Sequence, residues 1–166
     1  MAVNNIIKRI QNIMRQDAGI NGDAQRIEQM TWMFFLKVYD TQEDTWEYKD
    51  ENYKSIIPED LRWRNWAVDE KDGEALTGEA LLSFVNEKLF PALKNLPIDA
   101  NTPRDKSIVQ ETFADLNQYM KNGTLLRQVV NIVNEIEFDD ADYRHTFGDI
   151  YEGILKDLQS AGNAGE

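Results

Sequence analysis

Residues 27–38 read Ile-Glu-Gln-Met-Thr-Trp-Met-Phe-Phe-Leu-Lys-Val, and this stretch decides the fold. One helical stripe, with members three or four residues apart, consists of Ile27, Met30, Thr31, Phe34, Phe35 and Val38. Trp32, Met33 and Leu36 add large apolar groups to the other side of the same helix. Because a helix that is apolar on two sides must be covered on both, the stretch predicts a buried central helix, for which Asp23 is a suitable N-cap.

Further apolar stripes predict helices on either side of this one. The first residues of the chain carry such a stripe, and the helix that it predicts ends near Gly19. Others are predicted from Thr77 to Phe90-Pro91, from Asp105 or Ser107 to Asn122-Gly123, from about Thr124, and from the capping-box-like Thr146-Phe147-Gly148-Asp149. A short turn joins the helix that ends at Asn122-Gly123 to the next one, which favours antiparallel packing of the two.

The stretch 41–74 lacks helical periodicity and is rich in acidic and aromatic residues. It predicts a long irregular connection pinned by its aromatic side chains, with a short helix beginning near Pro58. No strand-like alternation of useful length and no internal repeat occurs in the sequence. The fold class is therefore predicted to be all-α: a single compact domain of about six helices with one long aromatic-rich irregular connection.

Composition excludes several kinds of chemistry. The 166 residues include no Cys and one His, so disulfides, thiolate catalysis, zinc sites with Cys ligands and sites with two His ligands are ruled out. His145 alone, just before a predicted helix, is interpreted as a capping or surface residue. The longest apolar run, 32–36, is too short to span a bilayer, and no signal peptide begins the chain, which predicts a cytoplasmic protein without membrane association.

The net charge of −12 is unevenly distributed along the chain. The stretches 40–60 and 135–152 each carry a net charge of −6 and account for the whole imbalance. Residues 1–39 carry a net charge of +2. Since DNA is a polyanion, this composition argues against a surface that coats DNA broadly, and it leaves the N-terminal part as the region best suited to phosphate contacts.

No catalytic, cofactor-binding or metal-binding group is predicted in this chain. A nucleotide or S-adenosylmethionine site normally has a glycine-rich turn, and the sequence contains no Gly-x-Gly. Gly148 and Gly153 have the glycine spacing of a P-loop, but Ile and Leu follow where Lys and Ser or Thr are needed. The acidic run 139–142 lacks the glycine turn and distal Glu of a calcium loop, and is interpreted as a solvated linker.

Three stretches together resemble a known family. They are Ile27–Lys37, the motif Leu61-Arg62-Trp63 in a Trp-rich connection, and Phe147–Leu155 followed by Ala164-Gly165-Glu166. In the same order, they are similar to the N-terminal helical domain of the methylation (M) subunit of type I restriction-modification DNA methyltransferases. The resemblance implies a helical domain over 1–159, with 160–166 beginning a linker to a methyltransferase domain that is absent from this sequence.

The resemblance also implies a function for the complete subunit. It would methylate adenine N6 in specific DNA sequences with S-adenosylmethionine, together with a second M subunit and a specificity (S) subunit, and a restriction (R) subunit could join. The family's catalytic Asn-Pro-Pro motif is absent, because all four Pro residues are isolated, so this chain alone is expected to be inactive. The helical domain would close over DNA, help to sense the methylation state, and contribute to assembly.

The candidate phosphate contacts are five cations: Lys8, Arg9, Arg15, Arg62 and Arg64. The tryptophans beside Arg62 and Arg64 could stack on bases, but core aromatics flanked by arginines are the favoured interpretation. Two alternatives to a separate M subunit stay open. One is a stand-alone acidic helical module for protein interactions, without a nucleic-acid role, and the other is the same domain in a single-chain enzyme with fused methylation and specificity regions.

Overall fold

The computed structural model describes residues 3–68 and 75–136, and every regular element in these ranges is helical. The elements are α1 (Val3–Met14), α2 (Asp23–Lys49), a 3-10 turn (Glu59–Leu61), α3 (Trp63–Trp66), α4 (Gly78–Ser83), a π-helical segment (Phe84–Leu89), α5 (Phe90–Lys94), α6 (Arg104–Ala114) and α7 (Gly123–Asn134). The predicted all-α class is confirmed. Three predicted features lie outside the described residues: the helix that begins at Thr146, the residue His145 and the acidic run 139–142.

Helix α2 is the central helix, as predicted. Trp32, Met33 and Leu36 are buried together with the opposite stripe, so both sides of the helix are covered by other elements. Helix α7 packs against α1, α2 and α4, and the buried apolar residues of these helices belong to one core. Burial of each large apolar side chain contributes about 1.5–3 kcal/mol to stability. No helix in the described part of the chain is long and apolar enough to cross a membrane.

Helix α2 is longer than predicted. Its N-cap is Gly22 rather than Asp23, and it continues to Lys49, so the irregular connection begins at Asp50 and not at residue 41. The added turns bury the polar residues Gln42 and Glu43, which explains why an apolar pattern could not reveal them. Pro58 precedes the 3-10 turn and α3, which confirms the short helical piece predicted in this connection.

The helix that begins after Thr77 does not end at Phe90-Pro91 as predicted. It continues through a π-helical segment into α5, which ends at Lys94. Pro91 has no N–H to donate to the preceding turn, and the wider π-helical turn lies directly before it. Val85, Leu89 and Phe90 remain buried across this change, so the apolar stripe is continuous although the helix type is not.

Helix α6 ends at Ala114, earlier than predicted, and a side chain from α5 caps its last carbonyl groups. Lys94 Nζ donates to the carbonyl oxygens of Phe113 at 2.8 Å and Leu116 at 2.6 Å. The prediction that α6 and α7 form an antiparallel pair is wrong. Helix α6 packs on α5, while α7 packs on α4 and α1.

The segment 115–122 between α6 and α7 is held by side chains from α2 and from the turn between α1 and α2. Asn117 N donates to Glu28 Oε2 at 2.9 Å, and Tyr119 N donates to Gln29 Oε1 at 2.8 Å. Both Lys121 N and Asn122 N donate to the Asp17 carboxylate at 2.9 Å. These bonds fix the start of α7 relative to α1 and α2.

Candidate nucleic-acid interface

The five candidate phosphate-binding cations fall into two separate groups in the structure. Lys8 and Arg9 lie on α1, and Arg15 lies one residue beyond its end. Arg62 and Arg64 lie on the connection that follows α2, where α3 begins. The structure does not unite the five residues into one basic surface, and the two groups differ in their surroundings.

The solvent-facing side of α1 is a polar surface without acidic residues, and we call it the α1 face. Its exposed members are Asn5, Lys8, Arg9, Asn12, Arg15 and Gln16. At 3.6 residues per turn they occupy an arc of about 120°, opposite the buried stripe that contacts α7. The nearby Asp17 does not add a negative charge to this face, because its side chain is buried and accepts bonds from backbone N–H groups.

The three cations of the α1 face have different local partners. Arg15 Nη1 donates to Asn12 Oδ1 at 2.9 Å, and Lys8 has no ion pair or hydrogen bond among the described residues. Arg9 donates two hydrogen bonds of 3.0 Å to the carboxylate of Glu135, directly after α7. These bonds lower the pKa of the Glu135 carboxyl and raise the pKa of Arg9.

Arg62 is buried inside the protein rather than presented to solvent. Its side chain is 7% exposed, and its guanidinium pairs with Glu43 at 3.5 Å, with Glu59 at 3.3 Å, and with Glu47. A buried guanidinium requires such carboxylates, because the loss of hydration is costly unless the charge is paired. Arg62 therefore joins α2 to the 3-10 turn.

Arg64 forms a second set of ion pairs along the same side of α2. Its nitrogen atoms lie 2.9 Å from Asp40, 3.0 Å from Asp44 and 3.1 Å from Glu47. Glu47 therefore bridges Arg62 and Arg64. We call these two arginines and their five carboxylates the arginine network; its net formal charge is negative, so it would repel a phosphate unless an arginine left its partners.

Glu43 is the most buried carboxylate of the arginine network. Tyr53 donates its phenolic hydrogen to Glu43 Oε2 at 2.6 Å. Burial raises the pKa of Glu43, although Tyr53 and the Arg62 charge act in the opposite direction. Burial, together with the neighbouring carboxylate, also raises the pKa of Tyr53. By contrast, the exposed Glu59 has a lowered pKa because Arg62 donates a hydrogen bond to it.

The tryptophans of the connection belong to the core, as interpreted from the sequence. Trp63 and Trp66 are 1% and 4% exposed, and their ring centroids lie 5.1 Å apart in an edge-to-face arrangement. Trp63 Nε1 donates to Asn134 Oδ1 at 2.8 Å, and Trp66 Nε1 donates to the carbonyl oxygen of Leu61 at 3.0 Å. Neither ring presents a face on which a base could stack.

Helix α7 supplies the polar residues that sequence analysis missed. The buried Arg127 donates to the carbonyl oxygens of Ala67 and Leu76, and Asn134 Nδ2 donates to Ala67 at 3.0 Å. Asn134 and Glu135 make the end of α7 the common anchor of α1 and the Trp-rich connection. The available signal for Arg127 was a charged residue between the apolar residues Leu126 and Val129 of α7.

The described residues show no further chemical centre. Within 3–68 and 75–136, no group of three or more His, Cys, Asp or Glu residues is close enough to hold a metal ion. An open pocket of about 520 Å³ lies near the start of α7, where Gln16, Lys121 and Thr124 are among its lining residues. Asp17 also lines this pocket and already accepts the N–H groups of Lys121 and Asn122.

The comparisons with known proteins identify the family. The HsdM N-terminal domain family matches residues 3–133, so this chain belongs to that family. The methylase subunit of the type I restriction enzyme EcoEI from Escherichia coli is 55% identical over 168 residues, a match that covers 100% of this chain and 33% of that subunit. The resemblance noted in the sequence is thereby confirmed. The chain is the N-terminal domain of a type I restriction-modification methylation subunit and spans about a third of the length of that relative.

Two solved structures share the fold. A modification subunit assigned to a type I restriction enzyme of Vibrio vulnificus YJ016 has a TM-score of 0.81 and 31% identity, covering 98% of this chain and 36% of that one. A chain from a study of complex assembly and conformational transition in the type I R-M system has a TM-score of 0.71 and 34% identity, covering 93% of this chain and 30% of that one. In both cases the shared region is about a third of the longer protein.

Proposed function

We propose that this domain serves a site-specific DNA methyltransferase that transfers a methyl group from S-adenosylmethionine to adenine N6. Its partners would be a second M subunit, an S subunit, an R subunit and DNA, in the cytoplasm. The family membership and the 55% identity to a methylase subunit support this role over a stand-alone interaction module. In the proposal, the cofactor and the catalytic residues belong to the part of the subunit beyond this chain, and the chain alone is inactive.

Within the methyltransferase, the domain would contact DNA phosphates through the α1 face. The supporting observation is that Lys8, Arg9 and Arg15 are exposed on a helix face without acidic residues. Arg62 and Arg64 belonged to the same initial prediction. They are less suited to phosphate binding, because each already pairs with three carboxylates. Of the five predicted residues, the proposed DNA contact therefore includes only Lys8, Arg9 and Arg15.

DNA titrations with the full-length subunit, together with its S subunit, test this contact. The Lys8→Gln/Arg15→Gln double variant should bind DNA more weakly, and the slope of log affinity against log salt should become shallower by about 0.9 for each lost phosphate contact. Arg104→Gln is the matched control, because Arg104 is an exposed arginine paired with Glu111 on α6. Equal affinities and salt slopes for the double variant and the control would refute a phosphate contact on α1.

The clamping, methylation-sensing and assembly roles are tested by deletion. Methyl transfer from labelled S-adenosylmethionine to cognate DNA is measured for the parent subunit with its S subunit, with and without residues 1–166. We expect deletion to reduce activity or the preference for a particular methylation state, and the isolated domain to be inert. Unchanged activity and preference would contradict closure of the domain over DNA. The domain would then serve in assembly or in docking of the R subunit.

A further inference from the structure

The sequence contains two Asn-Gly dipeptides, Asn21-Gly22 and Asn122-Gly123. Each lies at the start of a helix, since Gly22 is the N-cap of α2 and Asn122 is the N-cap of α7. In such a dipeptide the backbone nitrogen of the glycine can attack the side-chain carbonyl carbon of the asparagine, because glycine has no Cβ to obstruct the approach. The two sites are chemically alike, so the structure around each one determines whether it reacts.

The Asn21-Gly22 site is open to solvent and unrestrained. Both residues are exposed, and a Cβ added to Gly22 would meet no atom within 4 Å. Neither the Asn21 side chain nor the Gly22 N–H has a hydrogen-bond partner among residues 3–68 and 75–136. Gly22 has a φ of 93°, a conformation that glycine adopts without strain. The two groups that would react are therefore free to approach each other.

The Asn122-Gly123 site is restrained, although Asn122 is also exposed. Asn122 Oδ1 accepts the N–H of Leu125 at 3.0 Å, and Asn122 N donates to the Asp17 carboxylate at 2.9 Å. Gly123 is buried and has no room for a Cβ, because the backbone of Gly78 lies directly against it. Ring closure at this site would require loss of the N-cap bond and movement of the start of α7.

We infer that Asn21 is a site of spontaneous deamidation and that the start of α7 protects Asn122 from the same reaction. A bond forms between the Gly22 backbone nitrogen and Cγ of Asn21, while the bond from Cγ to Nδ2 breaks. The proton of the Gly22 N–H passes through solvent to the departing nitrogen, so ammonia leaves and a succinimide ring remains. Water then opens the ring at either carbonyl and produces aspartate or isoaspartate. Water is the only co-reactant.

The reaction would change the turn between α1 and α2. It adds a negative charge to residues 1–39, whose net charge is +2, and the isoaspartate product also lengthens the backbone by one methylene group. The new carboxylate would lie at the N-terminus of α2, where the helix dipole stabilises a negative charge. The modified protein should therefore remain folded. This inference is independent of the proposed DNA contact.

The test is mass spectrometry of the full-length subunit after incubation at neutral pH. Tryptic peptides 16–26 and 122–127 each contain a single asparagine, so conversion of amide to carboxylate is assigned to Asn21 or Asn122 without ambiguity. In the folded protein Asn21 should deamidate about tenfold faster than Asn122 or more, because loss of an N-cap bond alone corresponds to a factor of about ten in rate. In guanidinium chloride the two rates should be similar, since only Asn122 loses a restraint.

Two further measurements sharpen the test. Asn21→Gln should abolish the change in peptide 16–26 and leave peptide 122–127 unaffected, because the longer glutamine side chain closes a ring far more slowly. Labelling with a carboxyl methyltransferase specific for isoaspartate should mark residue 21, which distinguishes the succinimide route from direct hydrolysis to aspartate. Equal rates at Asn21 and Asn122 in the folded protein, or no isoaspartate at residue 21, would overturn the inference.

Discussion

The α1 face and the arginine network contain the same type of cation in opposite settings. The side chain of Arg9 is 45% exposed, while that of Arg62 is 7% exposed and has three carboxylates around it. Both arginines were equal candidates for DNA contact in the sequence. The difference shows that the availability of a cation depends on where acidic side chains from other elements are placed.

The acidic side chains of α2 explain this difference. Asp40, Glu43, Asp44 and Glu47 are spaced three or four residues apart, so they form one stripe along the helix. The connection returns along this stripe and places Arg62 and Arg64 against it. Helix α1 has no acidic residue at all, so its cations can be paired only by residues from elsewhere, such as Glu135.

The largest effect should come from removal of the buried cation. Arg62→Met would leave the fully buried Glu43 without its guanidinium partner, and we expect a loss of about 3–5 kcal/mol in the free energy of unfolding. Urea unfolding of the chain measures this. Arg104→Met, at an exposed pair, should change stability by less than about 0.5 kcal/mol. A loss for Arg62→Met no greater than that of the control would show that burial does not distinguish the two settings.

A smaller loss should follow a change at Asp17, the acidic residue next to the α1 face. Asp17→Asn keeps one carbonyl oxygen but weakens the bonds from the N–H groups of Gly19, Lys121 and Asn122. We expect a loss of about 1–3 kcal/mol in urea unfolding. The exposed Asp115→Asn is the control, and equal stability of the two variants would mean that the inward orientation of Asp17 has no energetic role.

The pH dependence of stability should separate two carboxylates of the arginine network. The pKa of Glu43 in the folded protein is raised above the ordinary 4.5. The contribution of Glu43 to stability is therefore present below pH 4.5 and is lost as the pH rises through the folded pKa. Glu43→Gln removes this loss, so its stability relative to the unmodified chain should increase with pH, by about 1.4 kcal/mol for each unit of pKa shift.

For Glu59→Gln, the stability relative to the unmodified chain should instead decrease as the pH rises. The folded pKa of Glu59 is lowered, so its contribution is present above 4.5 and is lost as the pH falls through the folded pKa. At neutral pH, Glu59→Gln should therefore be less stable than the unmodified chain, and this difference in stability should disappear in acid. The effect should be small because Glu59 is largely exposed. Urea unfolding between pH 3 and 8 compares the two variants, and parallel curves would contradict their different environments.

The smallest effect on stability is expected on the α1 face. Lys8→Gln/Arg15→Gln changes two exposed side chains, neither of which has a carboxylate partner among the described residues, and should alter stability by less than about 0.5 kcal/mol. Thermal unfolding of the chain measures this. A loss above about 1 kcal/mol would mean that the α1 face has a structural role, and its DNA-binding defect would then need a different interpretation.

The fold could be predicted from the sequence where the spacing of apolar residues determines the structure. It could not be predicted where contacts between polar side chains determine it. The central helix and the burial of the tryptophans follow from such spacing and from aromatic composition. The extended part of α2 forms ion pairs with Arg62 and Arg64, and Lys94 caps the end of α6. Local patterns contain no information about such distant partners, and they could not separate the exposed Arg9 from the buried Arg62.

The bonds that hold the segment 115–122 also constrain the order in which the chain can fold. Asn117 and Lys121 are bound by residues that lie 89 and 104 positions earlier in the chain. This segment has no helix of its own, so its conformation depends on α2 and on the turn after α1. Closure of such long loops costs entropy before any contact compensates for it. The join between α6 and α7 should therefore form late, after the two ends of the domain have met.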